Sequence, residues 1–152
     1  MLSGSHDETL KLWDVAIGSC ICTFTGHTSS VMACCFSPSD GKTVLSGSRD
    51  QSLKLWDATT GVCRRTLTGH TRTVRACAFS TIHGNLVLSG SHDMHLKLWD
   101  VATGDCMATL KGHENLDTCC AVSPDGATIC SADASGLLKL WRRQRRRRPQ
   151  RQ

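Results

Sequence analysis

The chain has 152 residues, is 39% hydrophobic and 20% charged, and holds four Trp, three Phe and no Tyr. That composition excludes wholesale disorder, and no apolar run approaches the ~20 residues of a membrane-spanning helix. The net charge of +5 is a poor average, because residues 142–152, RRQRRRRPQRQ, hold seven Arg and no acid, whereas the rest of the chain carries 11 basic and 13 acidic side chains.

Taken in chain order, the predicted elements repeat. Residues 2–14 read LSGSHDETLKLWD, residues 45–57 read LSGSRDQSLKLWD and residues 88–100 read LSGSHDMHLKLWD, each copy 43 residues after the last. Trp13, Trp56 and Trp99 keep that spacing, and Trp141 follows after 42. Gly26-His27, Gly69-His70 and Gly112-His113 recur in step, as do CFSP at 35–38, AFST at 78–81 and AVSP at 121–124. The runs TVLSGS, LVLSGS and ATICSA, and each LKLW, read as short strands. Turn signals divide them: SDGK at 39–42, HGN at 83–85, PDGA at 124–127, and TTG or ATG after Trp-Asp. No window keeps a helical period. Four short strands per ~43 residues, with Gly-His early and Trp-Asp late, describe one blade of a β-propeller.

Ten cysteines invite thoughts of disulfides or zinc, but their positions argue otherwise. Cys20, Cys63 and Cys106 follow the repeat, and so do Cys34, Cys77 and Cys120. There is no CxxC pair to supply adjacent zinc ligands. The cysteines read as free thiols serving as small core hydrophobes in a reducing compartment. No metal and no cofactor are expected.

This combined motif resembles the WD-repeat β-propellers over residues 2–141. The resemblance implies an all-β fold in which blades of four antiparallel strands, a to d from the inside out, form a ring. The expected segment is 1–141, with a partial repeat at 1–14 and repeats at 19–57, 62–100 and 105–141. Here it makes a partial ring of about four blades, two of them incomplete. The family's structural device is a hydrogen-bond chain from the Trp indole through a Ser or Thr and the Gly-His histidine to an Asp. A buried indole N–H needs an acceptor, so each blade needs its own chain. The matching sets are Trp56, Ser46, His27 and Asp50, then Trp99, Ser89, His70 and Asp93, with Trp141, Ser131 and His113 in the last unit. The Ser, His and Asp do not signal a hydrolase, because a catalytic triad needs an exposed nucleophile and a single copy.

The last unit departs from the pattern. Counting back from Trp141, Ser135 stands where Asp50 and Asp93 stand, and Asp133 comes two residues early. Its lock is expected to be weaker or rebuilt in another register. Arg142 replaces the Asp that follows Trp elsewhere, and no fourth strand is expected after it. An open arc would expose two blade faces, which favours either a fragment of a longer protein or two copies completing one ring.

Family members scaffold partners on the face made by the d–a and b–c loops. The corresponding slots here hold Arg49, Arg72, Arg75 and His92, all on neighbouring blades. Clustered guanidinium forks suit carboxylate or phosphate, so the expected ligand is an acidic or phosphorylated peptide and the protein a noncatalytic scaffold. A separate expectation attaches to the tail, Arg142, Arg143, Arg145, Arg146, Arg147 and Arg148. Such a run is expected to stay extended and to act as a nuclear-import signal or a nonspecific nucleic-acid contact. MLSGSHDETL at the N-terminus lacks the basic and apolar regions of a signal peptide, and the expected setting is cytoplasmic, with the nucleus as an alternative, and without membrane contact.

Overall fold

The computed structural model describes residues 1–80 and 85–142, apart from the side chains of Asp117 and Thr118. Among the described residues, fourteen strands form four antiparallel sheets and there is no helix. The first blade holds β1 (Leu2–Gly4), β2 (Leu10–Trp13) and β3 (Cys20–Phe24). The second is complete: β4 (Val31–Phe36), β5 (Thr43–Ser48), β6 (Leu53–Asp57) and β7 (Cys63–Leu67). So is the third, with β8 (Val74–Phe79), β9 (Leu86–Ser91), β10 (His95–Asp100) and β11 (Cys106–Lys111). The fourth has β12 (Asp117–Val122), β13 (Thr128–Asp133) and β14 (Leu138–Arg142). Each sheet is a simple meander, and inner strand β8 packs against both β4 and β12. The all-β partial propeller expected from the repeat is the fold observed.

Local chemistry explains the strand ends. Alternation in LKLW sends Leu53 and Leu55 to one side of the second sheet and Trp56 to the other. Leu53, Leu55 and Leu67 meet Val74, Val87 and Trp99 of the third blade in one buried cluster. Leu10 and Phe24 of the first blade meet Val31, Val44 and Trp56 of the second in another. Every blade thus offers leucines forward and a tryptophan backward, which is why no blade is stable by itself.

The Asp after each Trp ends the third strand of its blade. Asp57 Oδ1 accepts from the backbone N–H groups of Thr59 (2.8 Å) and Thr60 (3.0 Å), and Asp100 does the same for Ala102 and Thr103. Asp14 holds Ala16 and Ile17 in the equivalent turn. Donation from the Thr60 backbone, the Arg64 guanidinium and the Thr59 backbone keeps the Asp57 carboxyl at about 2.

The glycine of LSGS has a steric reason. A Cβ on Gly47 would lie 2.7 Å from Val74 Cγ1 of the next blade, and one on Gly4 would lie 2.7 Å from Val31 Cγ1. The blades approach each other there too closely for any side chain on the strand.

Candidate functional site

Two constructions organise the loop face: a polar lock inside the second, third and fourth blades and an arginine cluster above two of them. In the second blade the Trp56 indole N–H donates to Ser46 Oγ at 2.9 Å. Ser46 Oγ lies 2.7 Å from His27 Nε2, and His27 Nδ1 lies 2.6 Å from Asp50 Oδ2. The third blade repeats this with Trp99 to Ser89 at 2.8 Å, Ser89 to His70 at 2.7 Å and His70 to Asp93 at 2.7 Å. The direction of donation follows from counting protons. The serine oxygen receives the indole proton, so its own hydroxyl proton goes to Nε2, and the imidazole proton sits on Nδ1 facing the carboxylate.

Asp50 and Asp93 are the hubs. Burial opposes their ionisation. For Asp50, donation from Ser52, His27 and the Thr28 backbone outweighs it and holds the carboxyl at about 2. For Asp93, His70 and the backbone of Thr71 and His95 do the same, again to about 2. Burial also lowers the His27 pKa, against the pull of Asp50, which favours the neutral ring that the hydrogen bonds require. Ser46 and Ser89 are both fully buried, so their hydroxyls cannot meet a substrate. The lock is structural in kind: it satisfies a buried indole and ties the turn before the third strand to the loop before the first.

The turn itself is strained in a periodic way. Glu8, Gln51 and Met94, each just after the Asp, have φ of 71°, 72° and 67°. The fourth blade places Gly136 there, with φ of 86°. Sequence reasoning did not find this slot, although its 43-residue recurrence was present to be found.

The fourth blade rebuilds the lock. Trp141 donates to Ser131 at 2.8 Å and Ser131 lies 2.7 Å from His113 Nε2, as in the other blades. His113 Nδ1, however, meets Asp133 Oδ2 at 2.9 Å, whereas Ser135 occupies the slot of Asp50. The two residues have exchanged places. Ser48 and Ser91 stand at the Asp133 position, and there the serine hydroxyl holds the following Asp N–H. In the fourth blade the carboxylate accepts from the Ser135 hydroxyl and backbone instead. Donation from Ser135 and His113 holds Asp133 at about 2. Asp133, two residues early, thus supplies the carboxylate, and of the two outcomes the spacing left open the lock takes the rebuilt register.

The first blade retains Trp13 bonded to Ser3 at 2.8 Å, with Asp7 capping Thr9.

The candidate peptide-binding residues lie on the second and third blades. The locks position them. The Arg49 N–H donates to Ser30 O and the His92 N–H to Thr73 O, both at 2.9 Å. Ser91 Oγ donates to the Arg72 carbonyl at 3.1 Å. Turn and loop are therefore stitched together, and Arg49, Arg72, Arg75 and His92 share one patch. The grouping shows in the imidazole: burial lowers the His92 pKa first, and the charges of Arg75, Arg49 and Arg72 lower it further. Arg49 and Arg72 are exposed, and Arg75 and His92 are half-buried. Among the described residues, Arg75 Nε and His95 Nδ1 are the buried side-chain polar atoms without a hydrogen-bond partner. Of the tail residues, Arg142 ends β14, and Arg143, Arg145, Arg146, Arg147 and Arg148 lie outside the described residues.

All ten cysteines are free thiols, and the described residues contain no grouping of His, Cys, Asp or Glu fit to hold a metal ion.

Residues 18–57, 61–100 and 104–142 each match the family described as WD domain, G-beta repeat. The chain belongs to the WD-repeat family. Among curated proteins it is similar to the human peroxisomal targeting signal 2 receptor, 47% identical over 38 residues, and to the mouse receptor of the same name, 45% identical over 38 residues. It is also similar to coatomer subunit beta'-2 of Arabidopsis thaliana, 47% identical over 38 residues. Each match spans 25% of this chain, but only 12% of either receptor and 4% of the coatomer subunit. The likeness is therefore that of one repeat unit.

Proposed function

We propose that this WD-repeat chain is a noncatalytic protein-interaction scaffold whose loop face takes an acidic or phosphorylated peptide at Arg49, Arg72, Arg75 and His92. The observation that carries the reading is the gathering of three arginine charges around one half-buried histidine. Such a site holds cations close together at an electrostatic cost that an anion removes. Arg75 Nε, buried without a partner, offers a donor to that anion. The family supports the scaffold class, and two similar proteins are named as receptors for a targeting signal. The lowered His92 pKa keeps its ring neutral near neutral pH, so phosphate or carboxylate is met mainly by the guanidinium forks.

The test is binding of labelled acidic peptides, phosphorylated and not, to the chain and to the triple variant R49A/R72A/R75A. Affinity for the acidic peptides drops by tenfold or more in the triple variant if the reading holds. Unchanged affinity ends it.

A second reading rests on the seven Arg in residues 142–152. In it the tail contacts nucleic acid nonspecifically or serves as an import signal, which accords with a cytoplasmic and nuclear setting. Binding to RNA or DNA would weaken steeply with salt and vanish on deleting 142–152. Binding that survives the deletion discards it.

A further inference from the structure

The doublet Cys34-Cys35 breaks the repeat at one place. Position 34 recurs as Cys77 and Cys120, but position 35 recurs as Ala78 and Ala121. Adjacent residues of a strand face opposite sides, and the two thiols do so here. Cys34 packs against the cluster between the first and second blades, and Cys35 against the cluster between the second and third. Cys77, one repeat on from Cys34, faces backward into that same second cluster. The extra cysteine therefore brings two thiols to one interface from opposite sheets. The Cys35 thiol donates to the Cys77 carbonyl with Sγ to O of 3.8 Å, and the two side chains are close enough to perturb each other's ionisation.

We propose that Cys35 and Cys77 are a hydroperoxide-sensitive thiol pair that closes to a disulfide, joining inner strand β4 of the second blade to inner strand β8 of the third. The neighbouring Cys77 side chain holds the Cys35 thiol below its ordinary value despite burial, whereas Cys35 and burial push the Cys77 thiol well up. That division assigns the roles. Cys35 is the thiolate that attacks and Cys77 the thiol that resolves. The Cys35 sulfur attacks one oxygen of the hydroperoxide, the O–O bond breaks, and hydroxide or alkoxide leaves to take a proton. The resulting sulfenic acid is attacked by the Cys77 sulfur. The S–S bond forms, the S–O bond breaks, and water leaves with the Cys77 proton. Two thiols lose two electrons and two protons, and the hydroperoxide is reduced to water and water or alcohol. Both cysteines retain partial exposure. The pairing stands apart from the peptide reading and needs no ligand on the loop face.

The experiment treats the folded full chain with hydrogen peroxide, blocks remaining thiols with an alkylating agent and digests it with trypsin without reduction. Cleavage at Lys11, Lys42, Arg75 and Lys97 isolates peptides 12–42 and 76–97, the second containing Cys77 alone among cysteines. The expected result is a linked 12–42/76–97 species lighter than the sum by two hydrogens, and two fewer alkylatable thiols than the ten of the untreated chain. The link persists in Cys34→Ser and is lost in Cys35→Ser and in Cys77→Ser. If Cys35→Ser fails to fold, Cys35→Ala, which copies Ala78, replaces it. Oxidation that stops at sulfinic acid on Cys35, a link that survives loss of Cys35, or peroxide consumed only by exposed Cys20, Cys106 and Cys119 overturns the proposal.

Discussion

The second and fourth blades perform the same task with different success. Both carry the Trp–Ser–His–Asp lock at nearly equal distances, yet their forward leucines live in different worlds. Leu53 and Leu55 are 0% and 2% exposed beneath the third blade, whereas Leu138 and Leu140, in the same slots, are 66% and 65% exposed. At the boundary of the second and third blades, Arg65 adds a clamp, donating to the carbonyls of Thr103 and Ala102 at 2.7 and 2.8 Å. The equivalent residue of the third blade is Ala108, and the boundary with the fourth leaves an apolar cleft lined by Leu88, Leu98, Leu110, Ile129 and Trp141. The difference teaches that a lock makes a blade's shape, while burial between blades makes its stability.

Removing the tryptophan gives the sharpest break. Trp56 is fully buried between two sheets, so Trp56→Ala costs about 3–5 kcal/mol by loss of burial and creation of a cavity. Trp141→Ala costs less, because Trp141 lines the open cleft toward the third blade and is only half-buried. Denaturant unfolding of both variants checks the order, and equal losses would contradict the comparison.

The hubs come next. Asp50→Ala leaves His27 Nδ1, Ser52 and the Thr28 N–H without their acceptor, at a cost of about 1–3 kcal/mol. In the fourth blade the exchanged register gives a sharper test. Asp133→Ser and Ser135→Asp singly disturb the lock, and the double exchange, which writes the order of the second blade, recovers most of what either loses. Midpoints of thermal unfolding that simply add would show that the two sites do not share one lock.

Acid separates the two kinds of group. His27 has a folded pKa below its ordinary 6.5, so the stability it contributes is complete above 6.5 and begins to fall as pH drops below it. Asp50 and Asp93 have folded pKa values of about 2 against an ordinary 3.8. Their contribution, about 1–2 kcal/mol each, is full above the ordinary value and is lost as pH falls from about 4 to 2. Unfolding free energy measured from pH 8 to 2 should therefore show a shallow shoulder and then a steeper loss. The steeper part should shrink in Asp50→Ala.

The smallest effect is a gain. Gln51 bears a left-handed φ of 72° where the fourth blade has Gly136. Gln51→Gly relieves that conformation and stabilises by about 0.5–1 kcal/mol, read as a raised thermal midpoint. The same change at Gly136, to Gln, should cost a similar amount.

Much of this architecture was legible because a repeat states its own period. Three copies of one phrase and three Gly-His pairs located the strands and assembled each lock in the second and third blades, since identical spacing places identical residues in identical slots. The exchange of Asp133 and Ser135 showed in the spacing, but whether it weakened the lock or rebuilt it did not. A carboxylate two residues early reaches the same imidazole only because the turn carries it there, and linear counting cannot see a turn's path. The arginines were legible as slots, but not the half-burial of Arg75 and His92, which depends on how neighbouring loops cover them.

By itself the sequence determined the blade: its strand order, its buried tryptophan, its turn after Asp and its need for neighbours, all consequences of local pattern and hydrogen-bond satisfaction. Tertiary structure decided what lies between blades. It placed Cys35 against Cys77, Gly47 against Val74 and Arg65 across the turn at Thr103. Those meetings depend on the twist and spacing of two sheets, and no single repeat encodes the distance to the next.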